Sequence, residues 1–294
     1  HQKREITWDD PEYPVALEPW QDGRFPVLYA RGAPVPPHSS LVAVVGTRNP
    51  TLFGRRHAEK FARAITGAGL GIVSGLARGI DSLAHLHGLA TYTVAVLGSA
   101  IDRIYPPEHT DLADMILERG GTILSPFPPG HETRPSNFVR RNALIAGLAA
   151  GTIVIEGDEK SGANTTGQAA LDIERPCFTL LRDFDTPAGR GSMKLLDAGA
   201  QWTASPEQAL AGIARPFGGK LQTLKEARIV PASEEFPLDE WIERFETVGD
   251  ALQELERQIL LGNVEALGHG RYRNCAVRKR RGQAALLLKN PATC

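Results

Sequence analysis

The sequence lacks most of the features that would mark a membrane, disulfide-bonded or zinc-binding protein. Its 294 residues include only three cysteines, Cys177, Cys275 and Cys294. An odd number, far apart and without a CxxC pair, supports neither a disulfide framework nor a zinc knuckle. No apolar run approaches the ~18–20 residues that span a bilayer, and no secretory signal is visible. A cytoplasmic location with no membrane partner is therefore expected. Neither sign of charge dominates, the formal net charge being −1. That argues against non-specific coating of nucleic acid but leaves room for a local basic cleft. There is no GxGxxG, which disfavours an NAD-type site, and no motif for a metal or a nucleotide cofactor stands out. The chain opens on His1, which fits a trimmed N-terminus.

What is present is an ordinary globular composition, 42% hydrophobic and 23% charged. Gly and Pro cluster between apolar runs, as expected of many short loops. The run LVAVV at 41–45 suits a strand buried on both faces. Further strands are expected at 70–73, 92–97, 121–124, 151–155 and 176–181. Helical spacing falls between most of them, at 55–68, 81–90, 108–119, 138–149 and 164–174. This alternation predicts an α/β protein with a doubly wound, mostly parallel, Rossmann-like sheet over 41–212. Residues 1–40, rich in proline, read as an extended lead-in, and 213–235 as a linker. Residues 236–277 read as a small winged-helix-like unit with two helices and a hairpin turning at Gly268-His269-Gly270. The tail 278–294, opening on Arg278-Lys279-Arg280-Arg281, reads as basic and flexible.

In such sheets ligands bind at the carboxyl ends of the strands, so the loops there carry the functional argument. After the first strand come Gly46, Thr47 and Arg48, a tight turn whose N–H groups and guanidinium suit an anion, or an ordinary turn with a solvated Arg. After the second come Ser74, Gly75 and Arg78, with Asp81 favoured as a structural helix cap. After the third, Tyr105-Pro106-Pro107 forms either a rigid wall or a core contact. The long Pro/Gly loop at 126–142 ends on Asn137, Phe138, Arg140, Arg141 and Asn142. Of two adjacent arginines at a helix start at least one must face solvent or an anion. An exposed aromatic beside arginines suits a stacked base with clamped phosphates. After the fifth strand, Lys160, Ser161 and Gly162 open a helix with hydroxyl and N–H groups that suit phosphate.

Taken in order, these blocks resemble the DprA/Smf family: VAVVGTR, IVSGLARGID, AVLGSAIDRIYPPE, SNFVRRNALIAGL, the SGANTT loop and GSMKLLDAGAQWTASPEQAL. The resemblance runs from about Val42 to Leu210, with a lead-in at Tyr13-Pro14 and Leu28–Gly32. It implies an extended Rossmann-like fold and single-stranded DNA bound in a basic pocket at this edge. It also implies homodimers and delivery of the strand to the RecA recombinase in natural transformation. Arg48, Asn137, Phe138 and Arg141 carry over as DNA contacts. Residues 236–275 resemble the family's C-terminal winged helix. Ser136, Val139 and Ala143 depart from the family pattern, the winged helix is short, and the helical N-terminal domain of many members is missing or removed.

Two other readings stay open. Related phosphoribohydrolases carry a GGxGTxxE pattern, and the overlay here is Ser161–Gln168. An amide at Gln168 cannot replace the catalytic carboxylate, so no catalytic residue is expected, although Glu156 lies nearby. The second is a nucleotide-sensing or regulatory protein of the antitoxin or defence kind. In the small unit, Asp250, Glu254 and Glu256 against Arg257 would repel phosphate, which favours protein contact over groove reading.

Overall fold

The five buried residues Leu41–Val45 form an interior strand of a nine-stranded sheet. Their alternation sorts the core into two layers. Leu41, Ala43 and Val45 face one apolar cluster, and Val42 and Val44 face another. The computed structural model describes residues 3–20, 25–227, 235–244, 251–252, 255, 258–259, 264–268 and 271–274.

In chain order the strands of this sheet are β1 (Arg4–Thr7), β2 (Val27–Gly32), β3 (Leu41–Val45), β4 (Gly71–Ser74), β5 (Thr93–Val96), β6 (Thr122–Ser125), β7 (Thr152–Val154), β8 (Cys177–Leu180) and β9 (Gln201–Thr203). They lie in the order β1-β2-β6-β5-β4-β3-β7-β8-β9. From β6 to β9 every pairing is parallel, whereas β1 pairs β2, and β2 pairs β6, antiparallel. The chain winds outward from β3 through β4 and β5 to β6, then crosses back to β7 on the other side of β3. This is the doubly wound order that opens a crevice at the carboxyl ends of the strands.

The crossovers are α1 (Leu52–Gly67), α2 (Ile80–Gly88), α3 (Thr110–Glu118), α4 (Pro135–Gly147), α5 (Gly162–Asp172) and α6 (Pro187–Asp197), and α7 (Pro206–Ala214) follows β9. On α1, Ala58, Phe61, Ala62 and Ile65 are buried at helical spacing, as the pattern predicts. Thr51, Ser161, Thr186 and Ser205 cap α1, α5, α6 and α7 through their hydroxyls.

Three stretches differ from expectation. After β8 the chain adds α6, β9 and α7, which extend the parallel sheet beyond the six expected strands. The lead-in contributes β1 and β2 to the sheet and places Tyr13, Leu17, Phe25 and Leu28 in the core. Arg175 ties this segment down by donating to Ala16 O at 2.7 Å and to carbonyls at the end of α4. The start of the expected linker is also pinned, since Gln222 N reaches Ser39 O and Leu224 N reaches Gly69 O. A four-residue helix, α8 (Leu224–Ala227), follows.

The C-terminal unit contains α9 (Leu238–Ile242) and the strands β10 (Glu235–Pro237), β11 (Val264–Gly268) and β12 (Arg271–Asn274), in the antiparallel order β10-β12-β11. The hairpin is where the sequence places it, and β10 is an addition. Phe236, Trp241, Ala251, Leu255 and Val264 make its core. The two arginines of the hairpin are ion-paired within the unit: Arg271 and Arg273 both bond Glu235, and Arg273 also bonds Glu265. Asp250, Glu254, Glu256, Arg257 and the basic tail lie outside the described residues. Among the described residues no helix is long and apolar enough to cross a membrane.

Candidate nucleic-acid interface

A shallow cleft opens at the carboxyl edge of the sheet, lined by Arg48, Gly75, Ala77, Arg78, Tyr105, Pro106, Phe138 and Arg141. Each wall comes from a different strand end. Arg48 follows β3, residues 75–78 follow β4, Tyr105 and Pro106 follow β5, and α4 supplies Phe138 and Arg141 after β6.

Phe138 is the centre of the site. It is half-buried and lies beside Gly98, where an added Cβ would stand 2.5 Å from the ring. Tyr105 faces it at 5.4 Å between centroids, tilted by 59°. The guanidinium carbons of Arg48 and Arg141 stand 5.9 and 5.8 Å from its centroid. Tyr105 is 43% exposed, so the rigid Tyr-Pro segment is a wall rather than a core contact. Arg141 lies three positions after Phe138 and shares its helix face. Arg140 projects elsewhere: it is exposed and lies over Phe25 and Phe127 at 5.7 and 5.8 Å.

Two close backbone approaches set the geometry of Arg48. A Cβ on Gly46 would overlap the Ile80 side chain, and one on Gly79, at φ +79°, would overlap the carbonyls of Thr47 and Arg48. Thr47 N donates to Glu156 O at 2.6 Å, and Ile80 N donates to Thr47 O at 3.2 Å. The turn is thus clamped on both sides while the Arg48 side chain stays exposed.

Behind the cleft lies a buried polar layer. Arg141 is 5% exposed and donates to Gly75 O, to Val96 O at 2.6 Å and to Asn142 Oδ1 at 3.2 Å. Burial lowers its pKa to about 10, with the Asp81 charge opposing that shift and Arg48 adding to it. Asp81 is not the helix cap the sequence suggests. Gly79 occupies that position, and Asp81 turns inward. Its carboxylate accepts from Gly75 N at 3.1 Å and also from the N–H groups of Ala77 and Gly46. Burial raises its pKa, while Arg141 and these N–H groups lower it.

That layer corrects an expectation. The glycine-turn N–H groups read as phosphate donors are already held by Asp81. A carboxylate stands where Rossmann-like folds commonly hold a nucleotide phosphate.

Leu76 adopts a left-handed conformation, φ 56°, costly for a residue other than Gly. Two histidines hold it. Leu76 N donates to His85 Nε2 at 3.3 Å, and His109 Nδ1 donates to Leu76 O at 2.8 Å. Because Nε2 accepts, the His85 proton sits on Nδ1 and reaches Thr93 Oγ1 at 2.7 Å. Burial, helped by the nearby charges of His109 and Arg141, lowers the His85 pKa to about 3.

Of the residues expected at the site, Arg48, Gly75, Arg78, Phe138 and Arg141 line the cleft. The others support it or lie outside its lining. Ser74 Oγ donates to Val44 O at 2.7 Å, and Asn137, buried, donates to Glu132 O at 3.1 Å. Asn142 donates to Gly162 O at 3.0 Å and ties α4 to α5. Ser161 caps α5, and Lys160 is exposed in the loop before it. Arg78 Nε bonds Glu108 Oε1 at the surface. Sequence reasoning gave Asp81 another role and missed His85, His109 and Glu108, because these roles depend on loops that meet only in the fold.

The enzyme overlay finds little support at its own residues. Gln168 is exposed and bonds Asp172 at 2.9 Å. Glu156 is buried and accepts from Thr51 N at 3.2 Å and Thr51 Oγ1 at 2.9 Å, at the start of α1.

Fold and cleft together define a Rossmann-like α/β protein whose candidate ligand site is an arginine- and aromatic-lined cleft at the carboxyl edge of its sheet. Residues 4–214 match the family described as DNA recombination-mediator protein A, and the chain belongs to that family, the DprA/Smf proteins. Protein Smf of Synechocystis sp. is 39% identical over 215 residues, 71% of this chain and 53% of its own length. DNA processing protein DprA of Bacillus subtilis is 36% identical over 185 residues, 60% of this chain and 61% of its own length. The chain thus spans little more than half of these curated relatives. The crystal structure of DprA from Streptococcus pneumoniae superposes with a TM-score of 0.64 at 31% identity, covering 72% of this chain and 74% of that one. DprA from Helicobacter pylori, solved to show its single-stranded DNA binding mode, gives 0.60 at 27% identity, covering 74% and 96%.

Proposed function

We propose that this chain binds single-stranded DNA in the cleft, without base specificity and without bond chemistry, and passes it to a RecA-type recombinase. The observation that carries this reading is the Phe138 ring set between Tyr105, Arg48 and Arg141 in an open cleft. A base stacks on the half-exposed aromatic pair, contributing roughly 1–3 kcal/mol. Arg48, exposed and pointing over the ring, takes a phosphate, and Arg78 takes another when it leaves Glu108. Arg141 acts differently from Arg48. Its hydrogen bonds are spent on carbonyls and Asn142, so it holds Phe138 and the floor in place and lends long-range positive charge.

The family description as a recombination mediator and the single-stranded DNA binding of the H. pylori relative support this reading. The Asp81 carboxylate in the ring of N–H donors weighs against a mononucleotide ligand. A homodimer would use a sheet edge, and β9 offers Trp202, 50% exposed, at one. In the winged-helix-like unit, the ion-paired wing arginines favour protein contact over DNA.

The test is anisotropy of labelled oligo-dT across a salt series. Wild type binds, with affinity falling steeply as salt rises, and Arg48→Ala and Phe138→Ala lose binding while melting like wild type. No binding by wild type at low salt, or release of free base from a nucleoside monophosphate, overturns the reading.

A further inference from the structure

The cleft does not use all the flat and cationic groups at this edge of the sheet. Phe53, in the first turn of α1, stacks on His57 one turn later, with ring centroids 3.8 Å apart and planes at 26°. The Arg182 guanidinium, in the loop after β8, lies 4.1 Å from the Phe53 centroid. That is closer than either guanidinium approaches Phe138 in the cleft. Arg182 Nη1 also donates to Thr51 Oγ1 at 3.4 Å, and Glu156 holds Thr51 from the buried side. Three planar groups are therefore assembled before any ligand arrives, and all three remain partly exposed.

The surroundings suit a polyanion with unpaired bases. Arg55 and Arg56 are exposed on the same stretch of α1, and Phe184, two residues past Arg182, is 67% exposed. The acids in that loop are Asp183 and Asp185, and Asp183 is engaged by the Asp185 N–H. The position is also continuous with the cleft. Arg48 and Phe53 lie on one short stretch of chain. The loop of Arg182 stands two strands from that of Arg48, since β3, β7 and β8 are neighbours, or about 10 Å along the edge.

We propose that Phe53, His57 and Arg182 form a second stacking platform, which receives a base of the same DNA strand after the strand leaves the cleft past Arg48. The inference rests on the cleft reading above and extends it. Every base has a π-face, so a guanidinium–phenyl–imidazole stack accepts any sequence, and the arginine adds attraction for the backbone.

Two strand lengths separate the platform from the cleft: oligo-dT of roughly two nucleotides, too short to occupy the cleft and also cross the ~10 Å to the Arg182 loop, and of roughly twelve, which reaches the platform. Anisotropy is measured on the full chain for Arg182→Ala and Phe53→Leu, the latter keeping apolar bulk where Phe53 meets the core, with Phe138→Ala as the cleft control. The platform variants are expected to bind the short strand like wild type and the long strand about tenfold more weakly. Arg182→Ala should also reduce the salt dependence for the long strand alone. Unchanged long-strand binding in both platform variants, with Phe138→Ala still impaired, overturns the platform and leaves the cleft standing. Equal losses on both strands also overturn it, by making these residues supports of the cleft. Failure of wild type to bind either strand removes both readings.

Discussion

Arg141 of α4 and Asp81 of α2 meet behind Gly75: a Cβ there would stand 2.6 Å from the Arg141 Cζ and 2.7 Å from the Asp81 Oδ2. The opposite charges sit beneath the cleft with no room between them and the backbone. Gly75 is thus required by proximity, not by an unusual φ.

This geometry separates the two conspicuous arginines. Arg141→Ala leaves the Asp81 carboxylate buried beside lost hydrogen bonds and should cost about 3–5 kcal/mol of stability. Arg141→Lys should recover only part, since one ammonium cannot reproduce the planar set of donors. Urea unfolding measures both. Arg48→Ala, at an exposed position, should change stability by less than about 0.5 kcal/mol. A stable Arg141→Ala protein would show that the buried layer contributes little.

Gly98 faces the Phe138 ring so closely that Gly98→Ala must displace it. Overpacking of this kind costs about 1–3 kcal/mol. DNA affinity should fall further than stability does, because the moved group is the proposed base platform. Anisotropy and thermal melting on one preparation compare the two; melting lowered with unchanged binding would remove Phe138 from the interface.

Glu108 competes with DNA for Arg78. Both side chains are well exposed, so solvent screens the pair and it holds Arg78 only weakly. Glu108→Gln should tighten oligo-dT binding by up to about fivefold and steepen its salt dependence. Weaker binding in Glu108→Gln would mean that the pair orients Arg78 instead of restraining it.

Acid should loosen the cleft floor. The folded-state pKa of His85 is about 3, against 6.5 when unperturbed. The unfolded chain therefore binds a proton that the folded chain refuses, and stability is lost as pH falls from about 6.5 towards 3. The slope for one such histidine is up to about 1.4 kcal/mol per pH unit. His38, lowered to about 4 by burial and by Arg175, acts in the same sense. Asp81, whose pKa is raised, opposes them. His85→Gln, which keeps an acceptor for Leu76 N, should unfold with a flatter pH dependence in urea titrations at several pH values. An unchanged slope would assign the acid sensitivity to other groups.

Much of the architecture was legible without coordinates because it depends on local period. The run at 41–45 and its five successors form strands within a residue or two of the expected bounds, since continuous β-branched runs between helical patterns have one compact solution. The lead-in was not legible. Its strands are short, and they become strands only through non-local pairing, β2 with β6 and β1 with β2. The helix-face argument separated Arg140 from Arg141 in principle, but their order needed the sheet beneath α4.

The sequence alone determined that the sheet is doubly wound and mostly parallel, the edge where the strand-end loops lie and the residue types placed there, because periodicity and strand-end loops are properties of consecutive residues. Tertiary structure alone decided which of those residues face the cleft. Loops from β3, β4, β5 and β6 converge there, and their N–H groups and arginines must be shared between a ligand and one another. Asp81 takes the N–H groups, Arg141 is consumed by carbonyls, and Arg48 keeps its side chain at the surface. Such competition is settled by distances between segments far apart in the chain, which no local pattern encodes.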